Sequence, residues 1–158
     1  MISTEVLKEF RLFQGFSDSE LVKVAEICHE RSIESGKVLF KQGNKASKLH
    51  LCRSGVVDIV VWLNQPHGIE VTVHKVRPGE VLGWSSLVEP YIYTASAKCK
   101  ENANIIYNDA SDLIDLFKQN PHIGYVFMRN LSTVISSRLT EYMHKFGVEL
   151  AISINKEW

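Results

Sequence analysis

The 158-residue sequence has little of what several classes of protein need. Its formal net charge is +0 and no block of like charges occurs, so it has no basic footprint of the kind that binds nucleic acid. No run approaches the roughly 20 apolar residues of a membrane span, and the N-terminus MISTEVLKEF is too polar for a signal peptide. We therefore expect neither a direct nucleic-acid partner nor a membrane partner.

Cysteine is also scarce. Cys28, Cys52 and Cys99 are odd in number and scattered, which is typical of a reducing, cytoplasmic compartment. They are one short of an all-cysteine iron–sulfur cluster. The sequence has no nucleophile elbow, Walker loop or Cys-x-x-Cys pair. We expect no catalytic residues, no metal site, no resident cofactor and no enzyme activity.

The pattern that is present predicts one domain over residues 1–146 and a short tail over 147–158. Residues 1–31 indicate helices, including a capping box from Ser17 to Glu20. Residues 32–108 contain short β-rich segments separated by glycines, including a turn at NQPHG, and residues 109–146 are helical again. The expected fold class is mainly β with flanking helices (α+β): an antiparallel β-roll or jelly roll followed by a long C-terminal helix.

That last helix begins at Pro121, a residue favoured at the first helical position, and is expected to end near Lys145, before Gly147. Its first half is apolar nearly all the way round, so it must pack on the roll and against something else. We expect the second contact to be the same helix of another copy, which predicts a homodimer. The helix packed only on its own roll is the alternative. The predicted dimer residues are Phe127, Leu131, Val134, Ile135, Leu139 and Tyr142.

The most informative stretch is LGWSSLVEPYIYTASAKC, from Leu82 to Cys99. Together with the glycine spacing of VLFKQGNKASKLHLCRSG and the long terminal helix, it resembles the cyclic nucleotide-binding domain superfamily, in particular CRP/FNR-like sensors. The phosphate-binding cassette of that family is matched in register by Leu82, Gly83, Ser86, Leu87, Thr94 and Ala95. The earlier motif departs from the family at Phe40, His50 and Cys52.

The family's two ligand-reading charges are replaced in this cassette. The resemblance implies a Glu that accepts from a ribose hydroxyl, where this chain has Trp84, and an Arg that holds the phosphate, where it has Tyr93. Losing two charge-assisted hydrogen bonds removes roughly 3–6 kcal/mol of binding free energy. The resemblance thus implies a regulatory sensor of a small anionic or aromatic effector other than a standard cyclic nucleotide. The candidate ligand-binding residues are Gly83, Trp84, Ser85, Ser86, Tyr93, Thr94, Ala95, Arg138 and Tyr142.

Two main alternatives and two weaker ones compete with this interpretation. In the first, Trp84 fills the pocket and the chain is a ligand-free dimerisation module. In the second, the chain is a genuine cyclic nucleotide binder. Haem bound near His50, Cys52 and His74 is a weaker alternative. A cupin-type metal site is also weak, because its ligands must share one face of a strand. The residues available, His67, Glu70 and His74, lie partly on opposite faces. The family's sensors carry a helix-turn-helix domain after the long helix, and this sequence shows none. We therefore expect the signal to pass to another polypeptide, an unidentified protein partner, unless the chain is a fragment.

Overall fold

The computed structural model describes residues 1–64 and 67–156. Two helices precede the strands: α1 (Thr4–Lys8) and α2 (Asp18–Glu26). The strands are β1 (His29–Ile33), β2 (Val38–Phe40), β3 (Lys48–Ser54), β4 (Val57–Leu63), β5 (Ile69–Val76), β6 (Val81–Leu82), β7 (Ser96–Cys99) and β8 (Ala103–Asp109). Two further helices follow: α3 (Ala110–Gln119) and α4 (Pro121–Lys156). Short 3₁₀ helices span Arg11–Phe13 and Trp84–Leu87.

The strands form two antiparallel sheets that face each other. One has the order β1-β8-β3-β6 and the other the order β2-β7-β4-β5. Strands that are distant in the chain pair at the centre of each sheet, as in β3 with β8 and β4 with β7. This arrangement confirms the predicted β-roll with flanking helices.

Both faces of strand β3 are buried, each in a different apolar core. Leu49 and Leu51 point towards the helices, where they join Phe10, Leu21 and Phe127 in one apolar cluster. The alternate residue Cys52 points into the roll and joins a second cluster between the sheets. The first sheet therefore separates two cores, and the helices cover its outer face.

The predicted boundary of the roll was wrong at its N-terminal end. The chain leaves α2 at Glu26 and enters β1 at His29, inside the segment predicted to be helical. Four of the five residues of β1 are exposed, so the strand lacks the apolar alternation by which a strand is recognised. The capping box of α2 is confirmed, since Ser17 and Glu20 exchange side-chain and backbone hydrogen bonds. The predicted NQPHG turn includes Gln65 and Pro66, which lie outside the described residues.

The predicted end of the long helix was also wrong. Helix α4 continues through Gly147 to Lys156, so residues 147–156 are helical and do not form an irregular tail. A glycine in a helix interior costs only about 1 kcal/mol relative to alanine. Glu149, Leu150 and Ala151, which follow Gly147, are good helix formers, and no proline interrupts the segment. A single glycine is therefore too weak a signal to stop the helix.

Candidate functional site

The centre of the predicted cassette is a sharp turn at Gly83. This residue has φ +79°, and a side chain here would place its Cβ 2.9 Å from His50 Nδ1 and 3.2 Å from the Lys48 carbonyl oxygen. Only glycine fits both the conformation and the space. The 3₁₀ helix that follows is closed by Ser86, whose hydroxyl donates to the Gly83 carbonyl at 2.9 Å. The Ser86 hydroxyl thus has a structural bond of its own, and its role as a ligand contact remains a prediction.

A cavity of about 170 Å³ lies beside this turn and opens to solvent. Strands β4 and β5 contribute an apolar wall of Ile59, Val61 and Val73. The candidate ligand residues that line it are Gly83, Trp84, Ser85, Tyr93, Thr94, Ala95, Arg138 and Tyr142. Of the nine candidates, the structure therefore brings together all except Ser86. Trp84 is half-buried against the helical core, and it lines the cavity without filling it.

Tyr93 occupies the position of the family's arginine and presents a ring to the cavity. The ring stacks on Phe40, with centroids 3.9 Å apart and planes inclined by 12°. Its hydroxyl donates to the Lys48 carbonyl oxygen at 2.8 Å, and burial raises its pKa. The polar end of Tyr93 is therefore held by the backbone of β3, and Phe40 is a wall residue that the motif flagged only as a departure.

Arg138 supplies the positive charge that Tyr93 lacks. The residue belongs to α4 and is only 6% exposed. Its Nη2 donates to the Val81 carbonyl oxygen at 2.7 Å and lies 3.5 Å from Glu80 Oε1. The guanidinium carbon lies 4.6 Å from the centroid of the Trp84 ring, within the range of a cation–π interaction. Burial lowers the pKa of Arg138, while the Glu80 carboxylate opposes that shift and favours the charged form.

Glu80 links Arg138 to strand β5. Its Oε1 is 3.0 Å from His74 Nε2, and the Arg77 amide donates to its Oε2 at 2.7 Å. Burial raises the pKa of Glu80, but these hydrogen bonds and the charges of His74 and Arg138 outweigh burial and lower it overall. His74, Glu80 and Arg138 together line a second cavity of about 290 Å³, which lies between the N-terminal 3₁₀ helix and α4. The sequence pattern did not reveal this network, although Glu80 lies only two residues before the start of the cassette at Leu82.

The predicted dimer residues fall on different faces of α4. Phe127 and Leu131 are fully buried in the chain's own core, and Val134 and Ile135 pack against that core. Phe127 and Leu131 are therefore corrected from dimer residues to core residues, whereas Val134 and Ile135 stay partly exposed and their place in a dimer remains a prediction. Tyr142 lines the cavity beside Gly83. Leu139 is 56% exposed and remains on the outer face.

Further along α4 the apolar surface is larger than predicted. A stripe of exposed apolar side chains continues from Leu139 into the part of the helix that was predicted to be a tail. Its members are Leu139, Met143, Phe146, Leu150 and Ile154, with Val148 and Ile152 also exposed. This spacing of three and four residues places the stripe on one side of the helix.

One cluster that the sequence pattern missed has metal-ligand chemistry. The ligand atoms of His29, Asp109 and Asp112 lie within 4.8 Å of one another. The Lys48 ammonium forms an ion pair with Asp109, so part of the charge of this cluster is already compensated. The haem alternative gains no support, because His50 and Cys52 are packed inside the roll, at 1% and 0% exposure.

The fold and the site together define a class of protein: a ligand-sensing β-roll with a glycine turn at one end and a long helix laid beside it. The family model for the cyclic nucleotide-binding domain matches residues 30–120. The chain belongs to that family, and its architecture is that of a CRP-like regulatory sensor domain.

The relatives are consistent with this membership. The chain is 27% identical over 135 residues to the cyclic AMP receptor protein of Thermus thermophilus, covering 85% of this chain and 60% of that protein's length. A solved structure described as a cyclic nucleotide-binding protein of Geobacter metallireducens is 32% identical, with a TM-score of 0.75, covering 88% of this chain and 99% of that one. A cyclic nucleotide-binding domain from Methylobacillus flagellatus shares the fold, with a TM-score of 0.82 at 19% identity, over 92% of this chain and 81% of that one. No helix in the described part of the chain combines the length and hydropathy needed to cross a bilayer.

Proposed function

We propose that the chain is a non-catalytic regulatory sensor whose cassette cavity binds a small anionic ligand with an aromatic ring. The observation that carries this proposal is the buried guanidinium of Arg138, which lies over Trp84 at the edge of a cavity with aromatic walls. A carboxylate or phosphate pairs with the guanidinium, and a ring stacks on Trp84, Tyr93 or Phe40. The arrangement provides one charge and several flat apolar surfaces, which is the chemistry of an aromatic acid.

A standard cyclic nucleotide fits this site less well. The cavity of about 170 Å³ is smaller than the roughly 300–1,000 Å³ of most ligand pockets. The carboxylate and guanidinium that the family's cassette uses are replaced by Trp84 and Tyr93, and the phenol of Tyr93 is held by Lys48. The names of the relatives support cyclic nucleotide binding as the competing proposal, and the experiment below separates the two.

We also propose how ligand binding in the cavity is transmitted to helix α4. Arg138 belongs to α4, but its contacts, Val81, Glu80 and Trp84, all belong to the roll. A ligand anion competes with Glu80 for the guanidinium and so changes how α4 is held. If the protein binds the ligand more tightly with α4 in one of two positions, ligand binding shifts the balance towards that position, and this shift is the signal.

The exposed stripe of α4 supports a homodimer as the form in which this signal is read. Leu139, Met143, Phe146 and Leu150 expose about half or more of their surface, and burying them against a second copy removes that surface from water. Sedimentation equilibrium tests this step. The wild type is expected to be dimeric and Met143→Glu monomeric with an unchanged circular dichroism spectrum. A monomeric wild type would refute the dimer.

The three cysteines, none in a disulfide, support a reducing, cytoplasmic location.

Isothermal titration calorimetry tests the ligand proposal with benzoate and cyclic AMP as probes. We expect benzoate to bind the wild type and to lose about 10- to 100-fold in affinity in Arg138→Gln, since one charge-assisted hydrogen bond is worth about 1.5–3 kcal/mol. The matched control is Arg129→Gln, which removes an exposed arginine of the same helix. Equal affinity of wild type and Arg138→Gln for benzoate would refute the role of Arg138.

Cyclic AMP gives the second arm of the same experiment. We expect weak binding to the wild type and a gain in the double variant Trp84→Glu/Tyr93→Arg, which restores both charges of the family's cassette. Cyclic AMP bound tightly by the wild type would favour the competing proposal. The inert dimerisation module is the remaining candidate, and the internal hydrogen bonds of Tyr93 and Ser86 favour it. It predicts that neither probe binds.

A further inference from the structure

His50 is the most unusual buried polar residue of the roll. It lies in the middle of β3 and is only 1% exposed. Neither of its ring nitrogens has a hydrogen-bond partner among the described residues. Buried polar atoms are almost always paired, because an unpaired one loses its bonds to water and gains nothing in return. An unpaired imidazole in this position therefore requires an explanation.

The position of the ring relates it to the ligand cavity. Its Nδ1 lies 2.9 Å from the point that a Cβ on Gly83 would occupy. Its ring centroid is 5.4 Å from that of Phe40. Gly83 and Phe40 both line the cavity, together with Tyr93, on which Phe40 stacks. His50 thus lies directly behind the inner wall of the site, separated from it by one glycine backbone and one movable aromatic ring.

The surroundings also determine the form of the imidazole. Burial lowers the pKa of His50 to about 3, and the positive charges of Arg31 and Lys48 act in the same direction. The ring is therefore neutral near pH 7 and offers one N–H donor and one lone-pair acceptor. A phenylalanine would occupy a similar volume with no unpaired atoms, so the fold itself gains nothing from the two nitrogens.

We infer that His50 is the inner polar group of the ligand site and hydrogen-bonds a neutral ring atom of a heteroaromatic acid. The inference rests on the proposed function and narrows its ligand class. The ligand's anionic group pairs with Arg138, and its ring moves Phe40 away from Tyr93 to reach the imidazole. Rotation of Phe40 breaks no hydrogen bond, because its side chain is apolar; its contacts are the stacking on Tyr93 and packing against the apolar cluster between the sheets.

Nicotinate and benzoate form a matched pair of probes for this inference. Both carry a carboxylate on a six-membered ring, but only nicotinate has a ring nitrogen that can accept from His50. We expect the wild type to prefer nicotinate by about fivefold, which corresponds to one net neutral hydrogen bond. The preference is expected to disappear in His50→Phe, with benzoate affinity unchanged, and to persist in His29→Phe, which replaces an exposed histidine of the same sheet.

Each outcome decides the inference. Equal affinity of the wild type for the two acids overturns it and leaves the proposed function intact, since benzoate still binds. Binding of neither acid refutes the proposed ligand class and this inference with it. The ligand-free protein gives an independent readout: His50→Phe is expected to raise Tm by about 2–4 °C, because it removes two unpaired buried atoms. A fall in Tm or failure to fold would show that the imidazole serves the fold, and would overturn the inference.

Discussion

Replacing Arg138 by alanine tests the central contact of the site without any ligand. The guanidinium is 6% exposed and joins α4 to the roll through the Val81 carbonyl oxygen and the Trp84 ring. A hydrogen bond from a charged donor contributes about 1.5–3 kcal/mol. A partly desolvated cation–π contact contributes about 1–2 kcal/mol. The substitution also removes the cost of burying the charged guanidinium, and this gain offsets part of the loss.

The net expectation is a loss of about 2–3 kcal/mol in the free energy of unfolding. Glu80 loses its arginine, but its side chain is 35% exposed, so the carboxylate can rehydrate without a large additional penalty. For a chain of 158 residues this loss corresponds to a decrease in Tm of roughly 5–10 °C. The effect should be local to α4, because the other contacts of the roll do not involve Arg138.

Urea unfolding followed by circular dichroism measures the loss, and hydrogen exchange along α4 locates it. The matched control is Arg129→Ala, an exposed arginine of the same helix, for which a change within about 0.5 kcal/mol is expected. If Arg138→Ala were as stable as Arg129→Ala, with unchanged exchange in α4, the contact would not hold the helix to the roll. The proposed route from the cavity to α4 would then be wrong.

Three further predictions concern stability. The folded pKa of His50 is about 3 and its unfolded value is near 6.5, so the unfolded chain binds an extra proton below pH 6.5. Stability is thus fully present above pH 6.5 and should fall by about 2 kcal/mol between pH 7.5 and 5 in urea titrations; a slope unchanged by His50→Phe would contradict this cause. Gly55→Ala should cost roughly 2–4 kcal/mol in the same assay, because φ is +83° and the new Cβ would lie 2.4 Å from the Asn102 carbonyl oxygen; a neutral result would mean that this turn can relax. Ser17→Ala removes the N-cap bond to the Glu20 amide and should lower Tm by about 2–6 °C in calorimetry, whereas an unchanged Tm would show that the cap contributes nothing.

The sequence alone was sufficient for the features that depend on short-range rules. Glycine spacing and β-rich segments predicted the roll, and the resemblance to the cyclic nucleotide-binding family, carried by Gly83, Thr94 and Ala95, indicated the cassette. The capping box at Ser17 located the start of α2. Each of these signals acts within a few residues, because backbone conformation and local hydrogen bonding depend on neighbouring positions. The same rules were too weak at exposed β1, which has no buried face to alternate, and at Gly147, where one glycine does not outweigh the helix formers around it.

Contacts between distant segments required the tertiary structure. Arg138 and Trp84 are far apart in the chain, and only the docking of α4 on the roll brings the guanidinium over the indole. An apolar stripe on a helix does not reveal which surface covers it. Phe127 and Leu131 therefore read as dimer residues in sequence and proved to be core residues in the fold. Likewise, the alternation of β3 places His50 and Cys52 on one face, but only the packing of both sheets shows that this face lies in the interior of the roll, behind the cavity beside Gly83. Local pattern determines which residues can share a face, whereas the packing of whole elements determines what that face meets.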